Sequence, residues 1–307
     1  SNDDATVTQT STGLTDVLAN NGAFGAGFVA VGDIATVNDA GTTAVNGSTD
    51  QLIGIGSYGD TSATIDHGGD LTVLNGQKYD GNAVGLYASA YDAATAHNSG
   101  DITVVAGTHM LNSHGSRATG ILGYTYAGTV TVGNDGTITV GDGFTDRATG
   151  IDAQSEFGDI AIDNSGHIVA GATTEKYSGG PTRTTTGAYG VRAYSYAGDV
   201  AITSSGSVDV VAGQYGLGLA AQAYYGNASV AVGAAGTVNV TSGFVGIGIA
   251  AGSEYGIATA DNAGAIVVDA TDGMGAIGVL AQGDEAISHN AEGGSITAHG
   301  GDWAVGM

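Results

Sequence analysis

The sequence predicts an all-β chain wound as a single-stranded parallel β-helix, a solenoid of about ten coils of roughly 30 residues with three short strands per coil. Three observations predict it. A glycine followed by an apolar residue recurs at Gly27, Gly54, Gly85, Gly120, Gly150, Gly190, Gly218, Gly248, Gly278 and Gly306, with a mean spacing of 31 residues. Residues at fixed offsets from that glycine alternate between constrained and free, which is the period of a strand. Asn-x-Gly markers and paired aliphatics follow at matching offsets further along each repeat. A repeat of this length means stacked or radial units rather than one closed core.

The first strand of each repeat contains the anchor glycine. One residue after it stand Ile55, Leu86, Ile121, Ile151, Val191, Leu219, Ile249 and Val279. Three after it stand small residues: Ala88, Gly123, Ala153, Ala193, Ala221, Ala251 and Ala281. The position between varies freely, as in Tyr87, Leu122, Asp152, Arg192 and Ala220. An aromatic residue follows in five repeats, at Tyr126, Phe157, Tyr196, Tyr225 and Tyr255, with a glycine next or next but one. The reading favoured is a closed corner in which each ring packs on the next. Stacking on sugar rings is the functional alternative.

A second short alternating run comes next, such as "DVAIT" at 199–203. It leads to a turn marked by Asn98, Asn134, Asn164 and Asn262, each two residues before a glycine. Asn tolerates left-handed turns and bonds nearby backbone, so stacked Asn can tie coil to coil. The third strand carries the aliphatic pairs Ile102/Val104, Ile138/Val140, Val208/Val210, Val238/Val240 and Ile266/Val268. Its outward row, Thr72, Thr103, Thr139, Val169, Asp209, Asn239, Val267 and Thr297, breaks after three threonines. That argues against a regular threonine face for ice. Residues 1–24 read as a partial coil or cap and 25–307 as the β-helix. At about 4.8 Å per coil the rod would be on the order of 45 Å long. A β-propeller is the structural competitor, but its repeats are longer and ten blades are too many.

Composition sets the function classes. Of the 307 residues, 42% are apolar and 12% charged, which does not suit disorder. Cysteine is absent, so disulfides and thiolate metal sites are excluded. The formal charge of −24 repels phosphate backbones, so nucleic acid is not expected as a partner. No apolar run reaches the length of a membrane-spanning helix, and no membrane insertion by this stretch is expected.

The stretches "ATGIDAQSEFGDIAIDNSGHIVAG" (148–171) and "AYGVRAYSYAGDVAITSSGSVDVVAG" (188–213) resemble the passenger repeats of Gram-negative autotransporters and related large surface adhesins. The resemblance covers nearly the whole chain from about Gly25 onward. It implies a right-handed β-helix, export to the cell surface, and an outer-membrane anchor in a part outside this chain. Two-partner secreted adhesins and phage tail fibres use similar coils. The lack of cysteine suits passage through an oxidising periplasm. The chain stops at "WAVGM" (303–307), where a further coil would begin, and so reads as a fragment.

Candidate chemistry lies in the loops. The segment between the third strand and the next anchor holds five of the six basic residues: Lys78, Arg117, Arg147, Lys176 and Arg183. In a β-helix that segment returns to one edge on every coil. Tyr79, Phe144 and Tyr177 accompany the cations there, together with the longest insertions, around 105–118 and 171–187. Loops on a rigid scaffold commonly carry binding, and this edge is where positive potential gathers. The competing view is that loops merely tolerate Lys and Arg. Asp142, Asp146 and Arg147, with Glu175, Lys176 and Arg183 one coil later, form the best carboxylate and cation grouping for catalysis, but solvated loops explain them more simply. The calcium-binding repeats and loops are missing. The seven His show no metal-ligand pair on a helix, and no nucleophile elbow accompanies the many Ser.

The sequence is therefore expected to encode an extracellular surface adhesin fragment, not an enzyme. It would be a rod, monomeric or weakly self-associating, that presents loops to a host or bacterial cell-surface glycan or protein. No cofactor or metal is expected. The alternative is a β-helix polysaccharide lyase or hydrolase.

Overall fold

The computed structural model describes residues 3–10, 13–76, 81–107, 116–141, 145–172 and 187–307. Every regular element among them is a strand, and every pairing is parallel, from Ala5–Gln9 to Trp303–Val305. The strands wind as a solenoid of about nine turns, a parallel β-helix as expected, since ten anchors enclose nine intervals. Residues 14–20 already pair with 42–48 in the regular register, so coil geometry extends into the first 24 residues.

Each coil contributes one strand to each of three faces. The first face carries the anchor glycine, as in Arg117–Thr125, Arg147–Ser155 and Gly187–Ser195. The second follows the aromatic turn, as in Thr129–Asn134, Ile160–Asn164 and Val200–Ser204. The third carries the aliphatic pairs, as in Thr137–Val140, His167–Ala172 and Ser207–Ala212. Ile121, Ile151, Val191, Leu219, Ile249 and Val279 stand in register one above another. All point inward and are essentially unexposed. Apolar burial of this kind is the main favourable term in folding, and here it runs as one continuous column through the rod.

The anchor glycine bends the first strand. Ala148 and Ile151 are both fully buried with only two residues between them, so the alternation changes phase at Gly150. A Cβ on Gly150 would lie 2.3 Å from Ile168 Cγ2 and 2.5 Å from the Gly190 carbonyl of the next coil. No side chain fits there, and the same close approach recurs at each anchor from Gly27 to Gly278.

The asparagine ladder is real and longer than the sequence suggested. Asn98, Asn134 and Asn164 are in register and buried. Asn98 Nδ2 donates to Asn134 Oδ1 at 2.8 Å, and Asn134 Nδ2 to Asn164 Oδ1 at 2.7 Å. Asn164 then donates to Ser204 Oγ at 3.1 Å. Val232 interrupts the column, and Asn262 resumes it by donating to Asn290. Toward the N-terminus the column continues as His67 and Asp39, with His67 Nδ1 2.9 Å from Asp39 Oδ2. Among the described residues His67 Nε2 is buried without a partner.

Candidate functional site

The first face is a shallow groove where it bends. Its volume is about 240 Å³, and its polar lining comprises Gln51, Asn82, Arg117, Thr119, Arg147, Thr149, Asp152, Gln154 and Arg192. Three side-chain rows of consecutive coils build it. The first row is Gln51, Asn82, Arg117 and Arg147. The second is Thr119 and Thr149. The third is Leu122, Asp152 and Arg192. Thr149 and Asp152 are buried although they point out from the sheet, so they form the floor.

Arg117 and Arg147 are exposed and open successive first-face strands. Adjacent strands lie about 4.8 Å apart, so the two side chains spring from neighbouring rungs. Among the described residues neither guanidinium is paired with a carboxylate. Two unit charges about 4 Å apart would repel by about 1 kcal/mol in water, less when farther apart and more as the dielectric falls. An anion bridging them removes that cost.

Arg192 is held differently. Its Nη2 and Nε donate to the two carboxylate oxygens of Asp152, at 2.5 and 3.3 Å, across one coil. Gln154 Nε2 donates to Asp152 Oδ1 at 3.2 Å. The Arg192 guanidinium also lies over the Tyr189 ring, 5.5 Å from its centroid. Burial opposes the charge on Arg192, but the hydrogen bonds and charge of Asp152 outweigh it and hold its pKa above the ordinary guanidinium value. The pair fixes the floor and leaves Arg117 and Arg147 as the accessible positive charges of the groove.

Of the residues predicted for a basic edge, Arg117 and Arg147 are brought together, one coil apart. They are strand residues rather than loop residues, which corrects the expectation for these two. The outward phase of a strand carries a long charged side chain to solvent as well as a loop does. Lys78, Tyr79, Phe144, Lys176, Tyr177 and Arg183 lie outside the described residues, as do Asp142 and Glu175. Sequence reasoning missed Arg192, Asp152 and the amide and hydroxyl row. The signal was present, because Asp152 and Arg192 each stand two residues after an anchor glycine and must stack.

A second polar column lies on the outside of the second face. His97 Nδ1 is 3.1 Å from Asp66 Oδ1, and its Nε2 is 3.0 Å from Asp135 Oδ2. Ser165 Oγ donates to Asp135 Oδ1 at 2.5 Å. Hydrogen bonds to Asp135 and then Asp66 raise the His97 pKa above its usual value. The bond from Ser165, followed by that from His97, lowers Asp135. Among the described residues no helix is long and apolar enough to cross a membrane. Compared with family models, curated proteins and solved structures, the chain has no significant match to any of them.

Proposed function

We propose that this chain is part of an extracellular surface adhesin, a stiff β-helical rod whose first-face groove binds an acidic glycan of a host or neighbouring cell. The observation that carries this reading is the stacking of Arg117 and Arg147, unpaired with carboxylate among the described residues, in a chain of net charge −24. On so acidic a chain, exposed cations steer an acidic ligand toward themselves. Guanidinium groups take carboxylate or sulfate in a two-pronged geometry. Asn82, Gln51, Thr119 and Thr149 supply donors and acceptors for sugar hydroxyls beside them. The one carboxylate in the groove's described lining, Asp152, is taken up by Arg192 and Gln154. That supports holding a glycan rather than cleaving it, since glycoside hydrolysis commonly uses two carboxyl groups.

A glycan-array measurement tests the reading. The rod should retain uronate-bearing or sulfated chains, and Arg117→Gln with Arg147→Gln should weaken retention by about tenfold or more, the size expected for charge-assisted bonds. Unchanged retention in the double variant would remove the groove from the account. Release of shortened or unsaturated sugars would replace it with the lyase or hydrolase reading.

A further inference from the structure

The aromatic corner between the first and second faces is an exposed ridge rather than a buried seam. Tyr91, Tyr126, Phe157, Tyr196, Tyr225 and Tyr255 follow one another coil by coil. Successive centroids are 5.3, 5.3, 6.4, 5.2 and 5.3 Å apart. Each ring is nevertheless between 36% and 54% exposed. Packing on a neighbour therefore uses only part of each ring and leaves a continuous aromatic strip along the rod. Tyr224 widens the strip, with its ring stacked on Tyr196 at 5.1 Å and 8°. A hydrogen bond with Tyr255 pushes the Tyr224 pKa up to about 12.

The turns beneath the rings are fixed in place. Ser155, Ser195 and Ser253 accept the N–H of Gly158, Gly198 and Gly256 at 2.8 to 2.9 Å. The same hydroxyls donate to carbonyls of the preceding coil, at Gly128, Gly158 and Gly226. Glu156, Asp159, Asp199 and Glu254 are exposed in these turns, and no basic residue stands in them. Asp159 and Asp199 accept backbone N–H groups of the next coil, and a carboxylate has capacity for more donors.

This combination selects its occupant. The carboxylates repel acidic glycans and anionic membrane surfaces. Aromatic faces beside hydrogen-bond acceptors suit a molecule with apolar C–H faces and hydroxyl edges. Successive ring planes are turned by 34°, 74°, 89°, 86° and 18°, so faces and edges alternate along the strip. One ring per coil suits a linear polymer whose units repeat at close to the coil spacing, as extended β-linked pyranose chains do. We propose that the ridge of Tyr91, Tyr126, Phe157, Tyr196, Tyr225 and Tyr255 is a binding site for a neutral, linear, β-linked polysaccharide laid along the rod axis. It is separate from the groove and takes an uncharged rather than an acidic ligand, so neither reading depends on the other.

Affinity electrophoresis of the whole chain in gels containing soluble β-glucan or β-mannan tests this. The wild type should be retarded by at least one of the two polymers, to the same degree at low and high salt. Phe157→Ala with Tyr196→Ala should lower the affinity by about tenfold or more, with the β-sheet circular dichroism and melting temperature as the check on folding. Retardation by neither polymer overturns the proposal, and so does equal retardation of a folded double variant. Ring-dependent binding of polylysine that salt abolishes, without binding of either glycan, would also overturn it and assign the ridge to a cationic partner.

Discussion

Val191 shows how little freedom a single position in the column has. It is fully buried between Ile151 and Leu219. A carboxylate there would be buried without a partner, so Val191→Asp should destabilise by on the order of 4 kcal/mol or more, measured by urea unfolding. A loss under 1 kcal/mol would contradict the inward register. Asn134 is constrained by bonds instead of volume. Its amide joins Asn98 to Asn164. In Asn134→Ala the Asn98 Nδ2 keeps its bond to the Gly100 carbonyl, but the buried Asn164 Oδ1 loses its donor, at about 1–3 kcal/mol. On the surface, His97 couples the fold to pH. Its pKa is raised in the folded state, so its stabilisation is complete below the unfolded value of about 6.5 and is lost as pH rises through the higher folded value. Solvent screens this half-exposed group, so the effect is small. The melting-temperature difference between wild type and His97→Gln should shrink from about pH 5.5 to pH 8.5; a difference that grows would reverse the assignment.

The strand with its bend is the unit that the sequence specifies most fully. An inward position must be aliphatic, the next inward position small, and the bend glycine bare, because the neighbouring coil leaves room for nothing else. Those constraints recur at fixed offsets, which is why the coil, the column and the Asn turn were legible before the structure. The glycines separate into two kinds that a sequence does not distinguish. Gly150 faces the Gly190 carbonyl, whereas a Cβ on Gly252, in the outward phase of the same kind of strand, meets nothing within 4 Å. Gly150→Ala should therefore destabilise by several kcal/mol, while Gly252→Ala should stay within about 0.5 kcal/mol of wild type. Equal effects would mean that composition, not close approach, explains the anchor. Outward positions carry no such rule. Arg117 and Arg147 stood out because cations are scarce in the chain, but the Arg192–Asp152 pair went unseen because the outward row varies freely. The aromatic ladder was visible as spacing, yet its exposure depends on how far the corner projects, which no offset records.

The whole rod combines a uniform interior with an outside that differs from edge to edge. Each coil contacts its neighbours, so stability accumulates along the stack and surface changes can alter binding without unfolding it. Against a net charge of −24, the first face offers Arg117 and Arg147 to an acidic ligand, and the corner offers a strip of rings bordered by carboxylates. If the groove binds as proposed, it recognises charge. The most direct test is the salt dependence of polygalacturonate binding by the wild type and by the Arg117→Gln, Arg147→Gln double variant, measured by titration calorimetry. Screening weakens attraction between exposed charges. Wild-type affinity should fall steeply as salt rises, and the double variant should bind weakly with a flatter dependence. Identical salt curves for the two proteins would contradict the proposal.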